Sequence, residues 1–156
     1  MLKKISSTRA SASGARIAIV ASRYNARYVD AMVRAAKAEL QRAGAVVCRV
    51  VRVPGAFEIP VVVARIARHA QPRVDGIICL GVILRGATTH AQHIGEVVSN
   101  ALGSIAVETE IPVVHEVLLL ENEQQAKERC LEREHNRGAE AAQTALKMAR
   151  AMKSLT

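Results

Sequence analysis

The hydrophobic positions of this chain fall into four short continuous runs and five longer periodic stretches. Residues 16–21, 46–51, 75–80 and 112–118 are apolar with almost no alternation and are rich in Val and Ile. Such runs fit strands covered on both faces, as in a parallel sheet. Elsewhere the apolar residues recur at three- and four-residue spacing. Val29, Met32, Val33, Ala36 and Leu40 predict a helix over 27–43, stopped by Gly44. Ile59, Val62, Val63 and Ile66 predict a second over 57–69. Pro60 fixes its start near 57–59, because proline lacks the N–H that an interior turn needs. Ile94, Val97, Val98, Ala101, Leu102 and Ile105 predict a third over 90–109. Helices over 122–133 and 138–152 follow, broken near His135-Asn136-Arg137-Gly138. Residues 53–56 read as a turn and 81–89 as a loop.

Strand and helix thus alternate, and the chain ends in a helix pair. This order predicts an α/β fold: a three-layer αβα sandwich around a central parallel four-stranded sheet, with flavodoxin-like topology. The 156 residues suit a single domain over 15–156 with a substantial core. Residues 1–14 are rich in Ser, Ala and Lys, and are expected to be loosely held in an isolated monomer. No repeat or low-complexity segment is visible.

Composition changes this picture in three places. The aromatic residues are Tyr24, Tyr28 and Phe57 alone, so each is either a core plug or a flat surface for a ligand. The formal net charge is +8, which suits anionic ligands. The arginines are scattered, and the basic stripe with stacking aromatics that nucleic acid requires is missing, so no nucleic-acid partner is expected. Cys48, Cys79 and Cys130 are far apart with no CxxC, which argues against a zinc site or structural disulfides and fits a reducing, cytoplasmic setting. The N-terminus lacks the apolar stretch of a signal peptide, and no membrane span is expected.

In open α/β sheets ligands bind beyond the carboxyl ends of the strands. Four segments reach that edge: Arg23-Tyr24-Asn25, Gly55-Ala56-Phe57-Glu58, Gly81 to His90, and His115-Glu116. The third has two glycines around an apolar triplet, and Ala87-Thr88-Thr89 then feeds a helix. Backbone N–H groups at a helix start bind anions, and a histidine there can carry protons. The plain alternative is that a threonine caps the helix and His90 is a solvated first-turn residue. Glu58 could bind a polyol or simply favour the helix dipole. Tyr24 is a stacking face or a packing plug, and Asn25 is most simply a turn or cap residue. His115 interrupts an apolar strand, either facing a site or hydrogen-bonded in the interior. Arg129 and Arg137 can pair with phosphate or serve as solvated helix residues.

Taken together, Arg23-Tyr24-Asn25, Val53 to Pro60, Gly81 to His90 and Asn136 to Ala142 resemble the 6,7-dimethyl-8-ribityllumazine synthase family over about residues 15–150. The resemblance implies a transferase of riboflavin biosynthesis. Such an enzyme condenses 5-amino-6-(D-ribitylamino)uracil with 3,4-dihydroxy-2-butanone 4-phosphate, releasing phosphate and water, and uses no metal or organic cofactor. Its product feeds riboflavin synthase, a functional link. The resemblance puts Tyr24 on the pyrimidine with Asn25 beside it, and Ala56, Phe57 and Glu58 at the ribityl chain. Val82, Ile83 and Leu84 hold the pyrimidine, and Ala87 and Thr88 the phosphate. His90 is the general acid–base and Arg129 the phosphate's arginine. Arg137 stands at a substrate-contacting lysine, and His115 where an aromatic borders the pocket.

The resemblance also implies a homo-oligomer built on pentamers, with active sites between subunits: Tyr24 and Phe57 of one would meet Arg129 of the next. Residues 1–14 would pair with a neighbour's sheet. Departures from the pattern are His115, Glu116 for a usual glycine, Leu119-Leu120 for threonines, and Arg137 for lysine. Leu131 to His135 replaces a glycine-bearing kink that goes with icosahedral shells, which favours a free pentamer. The alternative reading is a related flavin-binding or assembly protein with weakened catalysis.

Overall fold

The computed structural model describes Lys3 and residues 14–156, so the expectation for the N-terminal segment falls almost wholly outside the described residues. Four strands, β1 (Arg16–Ser22), β2 (Val46–Val53), β3 (Gly76–Leu84) and β4 (Val113–Leu120), alternate with helices α1 (Ala26–Arg42), α2 (Ile59–His69), α3 (His90–Thr109), α4 (Glu123–Cys130) and α5 (Arg137–Ser154). All strand pairs are parallel, in the order β2-β1-β3-β4. This is the flavodoxin-like arrangement that the strand–helix alternation predicts.

Successive strand residues point to opposite faces, and here both faces are covered. On one, Ile17, Ile19, Ile78 and Leu80 pack against Met32 and Leu40 of α1 and Ala141, Ala145 and Leu146 of α5. On the other, Ala18, Val20, Ile77 and Cys79 pack against Ile59 and Val63 of α2 and Val98 and Leu102 of α3. The missing alternation in the sequence reflects these two cores. Gly44 ends α1 at a φ of +76°, a left-handed conformation that glycine adopts without a Cβ clash. Pro60 occupies the first turn of α2, which a short 3-10 turn at Ala56–Glu58 precedes.

The structure corrects the sequence reading at the carboxyl ends of the strands. Residues 81–84 are strand, not loop. Gly81 to Leu84 pair residue for residue with Val117 to Leu120, and this ladder outweighs the break that a glycine implies. The true loop is 85–89. β2 likewise runs on to Val53, paired with Ser22.

The helix expected over 122–133 stops at Cys130. Asn136 Nδ2 donates to the Cys130 carbonyl at 2.6 Å, occupying the acceptor that another helical turn would use. Asn136 also caps α5, its Oδ1 accepting from Gly138 N–H at 2.9 Å. Gly138 lies so close to α1 that a Cβ there would overlap the Met32 backbone. Within Asn136-Arg137-Gly138, two residues therefore lock the helix pair, and the arginine between them is free to reach β4.

Candidate functional site

The carboxyl ends of β1, β2 and β3 are tied together by the backbone. Arg23 N–H donates to the Val53 carbonyl at 2.7 Å and Tyr24 N–H to the Pro54 carbonyl at 3.1 Å. Asn25 adopts a left-handed conformation with φ 56° and sends Nδ2 to the Val82 carbonyl at 2.7 Å. β1 pairs with β3 only as far as Ala21–Leu80. The Val82 carbonyl lies beyond that ladder, and Asn25 supplies its missing donor. So the sequence alternative of a turn residue is realised, with a long-range task added.

Above this frame stand two unburied rings. Tyr24 is 74% exposed and Phe57 58% exposed, whereas Tyr28 is only 5% exposed. In a chain with three aromatics, leaving two in water forgoes on the order of 1–2 kcal/mol of burial each. That is a reason to look for a ligand or a neighbouring subunit on them. Glu58 is oriented by its own turn, its Oε2 accepting Gly55 N–H at 2.9 Å; Ala56 in the same turn is partly buried.

Val82 is buried and Ile83 and Leu84 partly buried at the end of β3, while Ala87, Thr88 and His90 are exposed. Thr88 Oγ1 accepts His90 N–H at 3.4 Å, and Thr89 Oγ1 lies 3.3 Å from His93 Nε2. The threonines therefore dress the start of α3. No described residue hydrogen-bonds the His90 ring, which leaves it open to an incoming group.

The remaining predicted residues lie elsewhere. Arg129 and Arg137 belong to α4 and α5, which pack with α1, whereas the Ala56–Glu58 turn packs with α3. The two cations surround Glu116, a side chain that the sequence places at the ligand-binding edge of the sheet and marks as a departure from the family pattern, without giving it a role. Glu116 Oε2 receives Arg137 Nε at 3.1 Å, and Arg137 Nη1 reaches Glu140 Oε2 at 2.6 Å. Burial pushes the Glu116 carboxyl above the usual range, while Arg137 and Arg129 pull it down and Glu140 adds to the rise. Arg129 Nε is buried with no hydrogen-bond partner.

His115 sits lower on β4, paired in register with Cys79. Its Nδ1 accepts Val117 N–H at 3.1 Å, and its Nε2 lies 2.7 Å from Ser99 Oγ, which itself donates to the Gly95 carbonyl at 2.7 Å. These bonds are consistent with one neutral tautomer, Nε2–H donating to Ser99. The residue as a whole counts as exposed, but burial of its inner part holds its pKa below the ordinary histidine value. Both sequence alternatives for His115 are thus partly met: it is hydrogen-bonded and it is accessible.

Sequence reasoning sees Ser22 only as the end of the first strand. Its hydroxyl closes β1, is 1% exposed and has no hydrogen-bond partner. A Cβ on Gly81 would come within 3.2 Å of it. The available signal was a serine ending an otherwise apolar strand. Of the cysteines, burial raises the thiols of Cys79 and Cys130, the latter to about 12, so neither is a nucleophile near neutral pH. Among the described residues no group of His, Cys, Asp and Glu converges as a metal-holding set. Paired arginines are spread over α1 (Arg42), β2 (Arg52), α2 (Arg68), the 85–89 loop (Arg85) and α5 (Arg137). A cavity of about 790 Å³ lies at the opposite, amino-terminal end of the sheet, lined by Asp75, Pro112 and Lys153 among others, away from all these groups.

Fold and candidate site together define a flavodoxin-like α/β chain with open rings and an unengaged histidine at the carboxyl edge of its sheet and a cation pair on the helices that pack with α1. Comparison with known proteins makes this particular. The family model for 6,7-dimethyl-8-ribityllumazine synthase matches residues 14–153, and the chain belongs to that family of enzymes of riboflavin biosynthesis. A curated 6,7-dimethyl-8-ribityllumazine synthase from Kineococcus radiotolerans is 37% identical over 145 residues, covering 92% of this chain and 88% of that protein. Among solved structures, a de novo designed Rossmann fold protein overlays with a TM-score of 0.40 at 15% identity, covering 72% of this chain and 90% of its own.

Proposed function

We propose that the chain condenses 5-amino-6-(D-ribitylamino)uracil with 3,4-dihydroxy-2-butanone 4-phosphate to form 6,7-dimethyl-8-ribityllumazine. The observation that carries this reading is the family match over residues 14–153, joined to a site with the needed chemistry. Amine addition, dehydration and phosphate loss each move a proton, and His90 offers an unengaged imidazole for that work. Arg129 and the N–H groups at the start of α3 supply positive charge for the departing phosphate. Tyr24 and Phe57 offer flat faces for the uracil and its ribityl chain. Much of the remaining rate comes from holding two substrates together.

The site is completed between subunits. One chain contributes Tyr24, Asn25, Ala56 to Glu58, Val82 to Leu84, Ala87, Thr88 and His90. Its neighbour contributes His115, Arg129 and Arg137. Support comes from the separation of Arg129 and Arg137, on the helices that pack with α1, from Phe57, Glu58 and His90 at the α3 side of the same chain, and from the exposed rings that a neighbour would cover. The assembly is a homo-oligomer built on pentamers, and its product passes to riboflavin synthase.

The test is to mix pure protein with both substrates and follow the lumazine chromophore. Product formation is expected, and none at high enzyme concentration refutes the proposal. His90→Ala should lower kcat about a hundredfold while binding persists. Arg129→Ala should chiefly raise KM for the phosphate substrate.

A further inference from the structure

We propose that Glu116 is a resident counter-anion of the Arg129–Arg137 pair and takes up a proton when an anionic group binds there. This rests on the phosphate role proposed for Arg129. Arg137 is held by two carboxylates, Glu116 at 3.1 Å and Glu140 at 2.6 Å. Arg129 adds the second cation, its Nε buried without a partner. Two arginines against two glutamates leave no net charge to attract an anion.

The two carboxylates are not equivalent. The Glu116 side chain is 11% exposed and the Glu140 side chain 41%, so solvent screens Glu140 far better. Glu116 also shares a sheet face with the buried apolar residues Val114 and Leu120, where a carboxylate is costly to hold. When a phosphate or sulfate approaches Arg129, it meets this buried anion beside the same cations. Two anions in one site cannot both stay charged cheaply. The relief available is protonation of the buried one, which leaves the arginines with one net positive charge for the ligand. The groups facing Glu116 are Arg137 and Glu140 from α5, and Arg129 and Cys130 from α4. The Cys130 thiol stays neutral near neutral pH. Glu116 is the group whose burial already opposes its charge.

The test uses sulfate, which does not titrate near neutrality, in calorimetric titrations of the full chain in two buffers of different ionisation enthalpy. Wild type should take up protons on binding, and its affinity should strengthen from about pH 8 to about pH 6. Glu116→Gln should bind sulfate about tenfold tighter at the higher pH, with less proton uptake. His90 and His115 are present in both proteins, so the difference isolates Glu116. Equal uptake in the two proteins, no gain in affinity, or no sulfate binding to either overturns the inference. If Glu116→Gln does not fold, Glu116→Ala carries the same expectation. Lumazine formation is assayed separately. Turnover without the difference in uptake rejects this inference alone; the difference without turnover rejects the activity alone.

Discussion

Replacing Asn25 tests how the candidate site is held. Asn25→Ala removes the 2.7 Å bond from Nδ2 to the Val82 carbonyl and leaves a residue with a Cβ at φ 56°. An orphaned, partly buried carbonyl costs about 1–3 kcal/mol. Holding alanine in the left-handed region adds about 1 kcal/mol. The sum is about 2–4 kcal/mol, and Asn25→Gly should cost about 1 kcal/mol less, because glycine accepts that conformation. With a urea dependence of about 2 kcal/mol/M, the alanine variant should unfold at a midpoint about 1–2 M lower with unchanged slope. Circular dichroism at one fixed protein concentration is the assay, since subunit association would otherwise move the midpoint. Both variants should also raise KM for the uracil substrate, because the Val82 carbonyl loses its tether. An alanine variant within about 0.5 kcal/mol of wild type, or a glycine variant less stable than alanine, would refute the account.

Two further outcomes follow from the same structure. Gly138→Ala should destabilise the chain by about 3 kcal/mol or more, since the added Cβ meets the Met32 backbone rather than a movable side chain; a shift below about 1 kcal/mol in chemical denaturation would contradict the tight α1–α5 approach. Burial holds the folded pKa of His115 below the ordinary histidine value, so as pH falls the unfolded chain binds the proton first. Stability from this group is therefore complete above about pH 6.5 and falls as pH drops toward the folded value. Urea midpoints between about pH 7.5 and about pH 5.5 should drop more for wild type than for His115→Asn, and parallel slopes would argue against it.

The sequence made the layers legible and the site only partly so. Helices 27–43 and 90–109 and the two-sided burial of the strands follow from local periodicity, which a linear reading can detect. The ends of the strands do not. Gly81 looks like a break until Val117 is known to lie beside it, and that pairing spans the whole of α3. The Glu116–Arg137 bond crosses 21 positions and the Asn25–Val82 bond 57, so neither leaves a local trace. Tyr24, Phe57 and His90 stand out as candidates in the sequence because they are unusual types at strand or helix ends. Ser99 was not: nothing about a serine in mid-helix announces that it steadies a histidine on a neighbouring strand.

The distribution of aromatic rings has an optical consequence. The chain has no tryptophan and two tyrosines, one buried in the core and the other mostly in water. Their emission should therefore report on different events. Tyr28 responds to loss of the fold, and Tyr24 to whatever settles on the rim of the proposed site. A pyrimidine stacked on Tyr24 should quench close to half of the native signal without disturbing the rest. Occupancy and unfolding could thus be read from one unlabelled sample.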